Sequence, residues 1–229
     1  MKPRFLYPQH PKSGILIAPL QLDDYESQGH WLAQLKFQGS NSVLWVYNDE
    51  FMLWNRSGEP FTTYRAKESM KKCIQQLKLE RNTEYVFNGE LLHTKAKSKT
   101  SNKQAVTDTI VLFDILYAGK HLNEPLEQRL ALLNLICNDP KTHDKDKQGL
   151  VVAKQEESQI WLAETFPDDF SYHFWKFVDT DASGNDRYPL IEGLMLKRKG
   201  SNLVGFGTKP VDVTWMTRCR KMKEKTYTL

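Results

Sequence analysis

From residue 32 to 54 apolar and polar positions alternate: Val43, Trp45 and Tyr47 fall on one side of an extended segment, Asn48-Asp49 offers a turn, and residues 51–54 return. This pattern predicts two or three strands and leaves Lys36 at a strand end, where the chain enters a loop. The spacing then changes. Ser57-Gly58-Glu59-Pro60 is a turn signal, after which Met70, Cys73, Ile74 and Leu77 recur on one face of a helix. Residues 84–93 and 109–117 read as strands, the second so uniformly apolar that it belongs inside a sheet. Pro125 opens a helix that lines up Leu126, Leu130, Leu133 and Ile136, with Glu127 in its first turn. Another helix falls within 167–178, and two or three late strands run from the Gly184-Asn185-Asp186 turn to Lys223. Strands and helices mixed without a repeating strand-helix-strand rhythm predict an α+β fold rather than a doubly wound sheet.

Residues 1–14, punctuated by Pro3, Pro8 and Pro11, predict an extended N-terminal arm, and the folded body is expected from residue 15 to 229. Two polar stretches, 95–108 and 142–149, predict connecting loops. With 229 residues and 40% hydrophobic content the chain can bury a substantial core. Its formal net charge of +4 is compatible with a phosphate-rich partner but too small to establish one. Cys73, Cys137 and Cys219 are odd in number and far apart, which argues against a zinc site or a disulfide framework. No apolar run is long enough to span a bilayer, and prolines interrupt the N-terminus where a signal peptide needs an apolar core. An intracellular protein with reduced thiols and no membrane partner is the expectation.

Several short segments carry candidate chemistry, each with a plain structural counterpart. Lys36 precedes Gly39 and Asn41 in Lys36-Phe37-Gln38-Gly39-Ser40-Asn41; most lysines are only solvated charges. Arg56 sits in Asn55-Arg56-Ser57-Gly58, which also reads as a hairpin turn, and Asn88-Gly89 before Glu90 is a strong turn dipeptide. Phe113, in Phe113-Asp114-Ile115-Leu116, fits core packing. Glu192-Gly193-Leu194-Met195-Leu196-Lys197 also fits an exposed strand with alternating charge, and the basic run at 218–223 a solvated tail. No Walker-type glycine loop, Gly-x-Gly-x-x-Gly, Gly-x-Ser-x-Gly or His-Glu-x-x-His occurs.

Taken in order, these segments resemble the nucleotidyltransferase domain of the ATP-dependent polynucleotide ligases, relatives of the mRNA capping enzymes, over roughly residues 32–225. The stretch from Phe113 through Tyr117, Gly119, Leu122, Pro125, Leu126, Arg129 and Leu132-Leu133 is the most ligase-specific part. The resemblance implies two packed antiparallel sheets with flanking helices and an ATP cleft. It makes Lys36 the nucleophile that attacks the α-phosphorus of ATP and becomes lysyl-AMP. It implies nucleotide or phosphate contacts from Gly39, Asn41, Arg56, Glu90 at the ribose, Phe113 stacked on adenine, Lys197, Lys221 and Lys223, and a Mg²⁺ or Mn²⁺ ion served by Glu192. Arg218 and Arg220 offer a second register for the closing basic pair. Two positions depart from the family pattern: Gln38 and Asn88 stand where aspartate is common.

By this resemblance the chain seals 5′-phosphate/3′-hydroxyl breaks in DNA or RNA. The Gly-Ser-Asn ending favours RNA, and the Phe-Asp-Ile-Leu tail favours DNA. Such ligases generally continue into a small oligonucleotide-binding barrel, which is not expected within this chain; a minimal ligase, a partner protein supplying that surface, or a sequence stopping at a domain boundary would each account for it. An RNA guanylyltransferase using GTP and a non-catalytic nucleic-acid-binding protein on the same fold are the alternatives.

Overall fold

The computed structural model describes residues 2–12, 16–62, 64–93, 108–137, 159–180, 182, 188 and 190–221. Among the described residues, twelve strands and four α-helices follow in the order β1 (Gln9–Pro11), β2 (Leu16–Ile17), α1 (Leu22–Ser27), β3 (Trp31–Phe37), β4 (Ser40–Tyr47), β5 (Glu50–Asn55), α2 (Glu68–Gln75), β6 (Glu84–Leu92), β7 (Thr109–Ala118), α3 (Leu126–Cys137), β8 (Gln159–Leu162), β9 (Thr165–Phe166), α4 (Phe170–Val178), β10 (Ile191–Arg198), β11 (Val211–Val213) and β12 (Met216–Arg220). They form two five-stranded sheets, ordered β2-β12-β10-β3-β9 and β5-β4-β6-β7-β8, and a two-stranded β1-β11 pair. The α+β expectation holds. The antiparallel expectation holds for the sheet interiors only, because β2 runs parallel to β12, β8 to β7 and β1 to β11.

Strand β7 reads as continuously apolar because both its faces are buried. Ile110 and Leu112 pack with Leu133 and Ile136 of α3 and with Met70 and Ile74 of α2, whereas Val111 and Phe113 join the cluster built by β3, β10 and the phenylalanines of α4. The two-residue period of a strand sends neighbours to opposite sides. Helices α2 and α3 thus cover one sheet and α4 the other.

Residues 2–12 are packed against both sheets. Arg4 Nε pairs with Glu84 Oε2 at 2.8 Å and its guanidinium lies 4.3 Å from the Tyr117 ring centre, tying the arm to the second sheet. Leu6 is buried against Val43, Trp45 and Trp54. Three residues further on, β1 begins and pairs with β11, adjacent to the first sheet, so the arm crosses from one sheet to the other. Asn88-Gly89 forms no hairpin turn; it lies inside β6, where a Cβ on Gly89 would meet Val111 O at 2.8 Å, so glycine is needed for a close strand approach. The expected loop at 95–107, the connection at 142–149 and the Gly184-Asn185-Asp186 turn lie outside the described residues.

Candidate active site

Between the two five-stranded sheets lies a cleft of about 620 Å³, within the size range of small-molecule sites. It is lined by β3, β10 and β12 on one side and by β4, β6 and β7 on the other. Lys36, Gly193 and Arg220 stand in one cross-strand row, because Gly193 pairs with both of the others. The register slips between Ile191 and Gly193, and the residue inside that irregularity is Glu192. A bulge re-aims side chains at the point where it interrupts a ladder. Here a single carboxylate oxygen, Glu192 Oε2, lies 2.7 Å from Lys36 Nζ and 3.1 Å from Arg220 Nη2. Gly193 has φ +143°, and a Cβ there would meet Cys219 O at 2.1 Å, so the bulge requires glycine. Strand β10 lies inside its sheet with Leu194 and Leu196 fully buried, which excludes the reading as an exposed charged strand.

Glu90 faces this row from the opposite sheet. Its Oε1 accepts a 3.1 Å hydrogen bond from the Gly39 N–H, and a Cβ on Gly39 would meet Leu91 O at 2.6 Å and Glu90 Cγ at 2.8 Å. The glycine after the lysine thus lets the loop lie flat on β6. Burial pushes the Glu90 carboxyl up to about 7; Lys36 and the Gly39 N–H pull it down, and the Glu192 charge raises it. Asn41 pairs with Glu90 in the β4–β6 register and donates its Nδ2 to Asn88 Oδ1 at 3.1 Å. Asn88 is thereby an amide partner for Asn41, a use for which no charge is needed.

Lys197, with 3% of its surface exposed, donates Nζ to Phe113 O at 3.1 Å and lies 4.9 Å from the Phe113 ring centre. Burial pulls its ammonium down to about 8; Asp114 opposes the shift and Arg129 adds to it. Asp114 is itself held by Arg129, through two bonds of 3.0 Å to its two carboxylate oxygens, and the same guanidinium donates to Glu124 O and Ser201 O. This buried fork-to-fork pair ties α3 to β7 behind the cleft wall.

Arg56 lies on the exposed turn after β5, at the cleft edge, where Asn55 Oδ1 accepts from Ser57 N at 2.8 Å and Glu59 N at 3.1 Å. Lys221 does not line the cleft and Lys223 lies outside the described residues. Arg218 and Arg220 do line it, and the reason is strand parity: Thr217 and Cys219 are buried at 3% and 0% exposure, so the alternate residues turn to the cleft. Among the described residues of this segment, the basic side chains that line the cleft are therefore Arg218 and Arg220. Gln34, two residues before Lys36, gave no sequence signal. It is 2% exposed and lines the cleft; its Nε2 donates to Thr165 Oγ1 at 3.0 Å while its Oε1 has no hydrogen-bond partner among the described residues.

The model of the ATP dependent DNA ligase domain matches residues 21–170. The chain belongs to this ligase family. Among solved structures the ligase chain is similar to a mycobacterial DNA ligase D complexed with ATP and MES, at 17% identity and a TM-score of 0.56, over 94% of this chain and 60% of that one. The ligase domain of LigD from M. tuberculosis matches at 16% identity and a TM-score of 0.54, over 93% of this chain and 58% of that one. The ATP-dependent DNA ligase from bacteriophage T7 in complex with ATP matches at 11% identity and a TM-score of 0.55, over 93% of this chain and 68% of that one. At these identities the likeness is one of fold, and the chain spans about 60% of the length of the first two. The search of curated proteins found no significant match. No described helix is long and apolar enough to cross a membrane.

Proposed function

We propose that this chain is the adenylation domain of an ATP-dependent ligase that seals nicked DNA, with Lys36 as the nucleophile. The observation that carries the reading is the Lys36 ammonium held 2.7 Å from Glu192 in a cleft that also holds Glu90, Phe113 and Lys197. Lys36 Nζ forms a bond to the α-phosphorus of ATP as the bond from that phosphorus to pyrophosphate breaks, and Glu192 is placed to accept the ammonium proton. AMP then passes to a 5′-phosphate, and a 3′-hydroxyl displaces it to join the strands. Lys197 and Arg220 offset phosphate charge. Glu90 takes the ribose hydroxyls and Phe113 the adenine face. The unpartnered Oε1 of Gln34 is an acceptor suited to the exocyclic amine of adenine, which guanine does not present at that position.

Among the described residues no three His, Cys, Asp or Glu side chains cluster as a metal site. A Mg²⁺ ion needs fewer, because it keeps waters and phosphate oxygens and takes one or two carboxylates. Glu192 and Glu90, close enough for the charge of one to shift the other, fit that requirement. The ion would neutralise triphosphate charge. Because the solved relatives are longer, a further nucleic-acid-binding surface, from a partner or from more chain, is the proposed complement.

Incubation with radiolabelled ATP or GTP and Mg²⁺, followed by a denaturing gel, tests the reading. Label from ATP supports it. Label from GTP alone makes the chain a guanylyltransferase, and no label from either makes it a binding protein on a ligase fold.

A further inference from the structure

Helix α4 covers the face of the first sheet that points away from the cleft. Gln34, Met195 and Lys197 line the cleft, whereas their strand neighbours Ala33, Leu194 and Leu196 pack with Phe170, Phe174 and Phe177 of α4. Those phenylalanines take up the inner side of the helix. Its outer side carries Tyr172 and Trp175, three residues apart and so side by side, at 61% and 56% exposure. The helix packs against α1 and against the turn at Pro19–Gln21, whose Leu20 is 89% exposed. Three large apolar side chains in the open on packed elements differ from the single ones scattered over an ordinary surface. The charge around them has one sign. Over residues 22–27 and 168–179 the acids are Asp23, Asp24, Glu26, Asp168, Asp169 and Asp179, and the only lysine or arginine is Lys176, in a chain whose formal net charge is +4. Asp23, Asp24, Asp168 and Asp169 are exposed and have no cation within ion-pair distance among the described residues. Like charge keeps a nucleic-acid backbone off this side, while the cleft presents Lys36, Arg218 and Arg220.

We propose that the outer side of α4, together with α1, is the docking surface for a basic amphipathic helix of a protein partner that itself binds nucleic acid. The proposal rests on the ligase reading, which needs a further nucleic-acid-binding surface, and it names where that surface attaches. A protein that binds phosphate backbones is basic. It is therefore complementary to the acidic side of this chain and not to the cleft. Trp175 and Tyr172, with Leu20 beside them, are the apolar anchors, and the surrounding carboxylates form the polar rim; Trp and Tyr are the residues that most often carry the affinity of such interfaces. Because α4 lies behind the sheet, a partner seated there leaves the cleft open to ATP and to the strand.

Fluorescence anisotropy of a labelled synthetic helix, with leucines along one face and lysines and arginines on the others, tests the surface against the full chain. Wild type should bind it, more weakly as salt rises, and should not bind the same peptide with glutamates in place of its basic residues. Trp175→Ala and Tyr172→Ala should each weaken binding roughly tenfold, the loss of one aromatic anchor. Asp23→Asn combined with Asp24→Asn should flatten the salt dependence. Thermal melts that match wild type isolate the side chains from a folding defect, and either aromatic variant alone suffices for the comparison. No binding of the basic peptide by wild type, equal binding of a peptide of the same composition with its leucines scattered, or unchanged affinity in either folded aromatic variant overturns the proposal. So does a tenfold loss of nicked-duplex affinity in Trp175→Ala, which would assign the aromatics to nucleic acid, or a dimer in sedimentation velocity that Trp175→Ala dissolves, which would assign the face to a second copy. Self-adenylation, scored separately, should be equal in wild type and Trp175→Ala: adenylation without peptide binding sinks only the docking surface, and peptide binding without adenylation sinks only the ligase reading.

Discussion

Replacing Gly193 with alanine should damage the fold and the site together. The residue has φ +143°, and the added Cβ would meet Cys219 O at 2.1 Å, where ordinary contact begins at 3.4 Å. That obstacle is backbone. Strand β10 is held between β12 and β3, so it cannot move away from one without pressing on the other. An unfavourable φ and forced displacement in a packed sheet cost about 1–3 kcal/mol each, giving about 2–6 kcal/mol together. For a chain of this size, at about 2–4 °C per kcal/mol, that is a fall in Tm of about 4–24 °C. Circular-dichroism melts measure it. Gly200→Ala is the control, because φ there is +72° and nothing lies within 4 Å of the new Cβ, leaving only about 1 kcal/mol of strain. Since Gly193 stands between Lys36 and Arg220 and follows Glu192, self-adenylation at a temperature where the variant is still folded should also fall by tenfold or more. A Gly193→Ala protein that melts within 2 °C of wild type and adenylates normally would refute the account of the bulge.

Three further outcomes follow from buried charges. Lys197 has a folded-state pKa of about 8, below its value in the unfolded chain, so its burial destabilises the protein below pH 8 and the penalty is relieved as pH rises from 8 towards 10.5. Lys197→Met should therefore raise Tm at pH 7, by an amount that shrinks between pH 8 and 10.5 in a melting series, while strand joining is lost. Glu90, raised to about 7, shows the opposite slope: stability falls as pH rises from 4.5 to 7, so Glu90→Gln should stabilise at pH 8 and have little effect at pH 4.5, and steady-state adenylation should show weaker discrimination between ATP and 2′-deoxy-ATP. Asp114→Asn leaves the Arg129 guanidinium buried with half its partner, which should cost about 3–5 kcal/mol in urea unfolding.

Strands β3 to β7 were legible in the sequence, β4 from its alternation and β7 from its continuous apolar run, because the burial of one face or both is written in local spacing. Strands β1, β8 and β9 were not. They are two to four residues long and exist through pairing with distant segments, as β8 with β7, and short-range pattern carries no record of that. Lys36, Glu90 and Glu192 fall on one cleft as their order suggested, but the closing basic pair did not follow from order. Arg218, Arg220, Lys221 and Lys223 offer the same spacing twice, and what turns Arg218 and Arg220 to the cleft is the burial of Thr217 and Cys219, which spacing does not record. Asn88-Gly89 reads as a turn until Val111 O is seen to need the space. Gln34 carries no motif at all; its interest comes from an oxygen unpartnered among the described residues.

The central claim is that Lys36 is the group that becomes covalently adenylylated. Intact mass spectrometry of the protein after incubation with ATP and Mg²⁺, with peptide mapping of the product, tests it most directly. The account predicts a mass increase of one AMP, carried on Lys36 and absent from a folded Lys36→Ala variant. An adduct that persists in that variant, or no adduct on the wild-type protein, would contradict it.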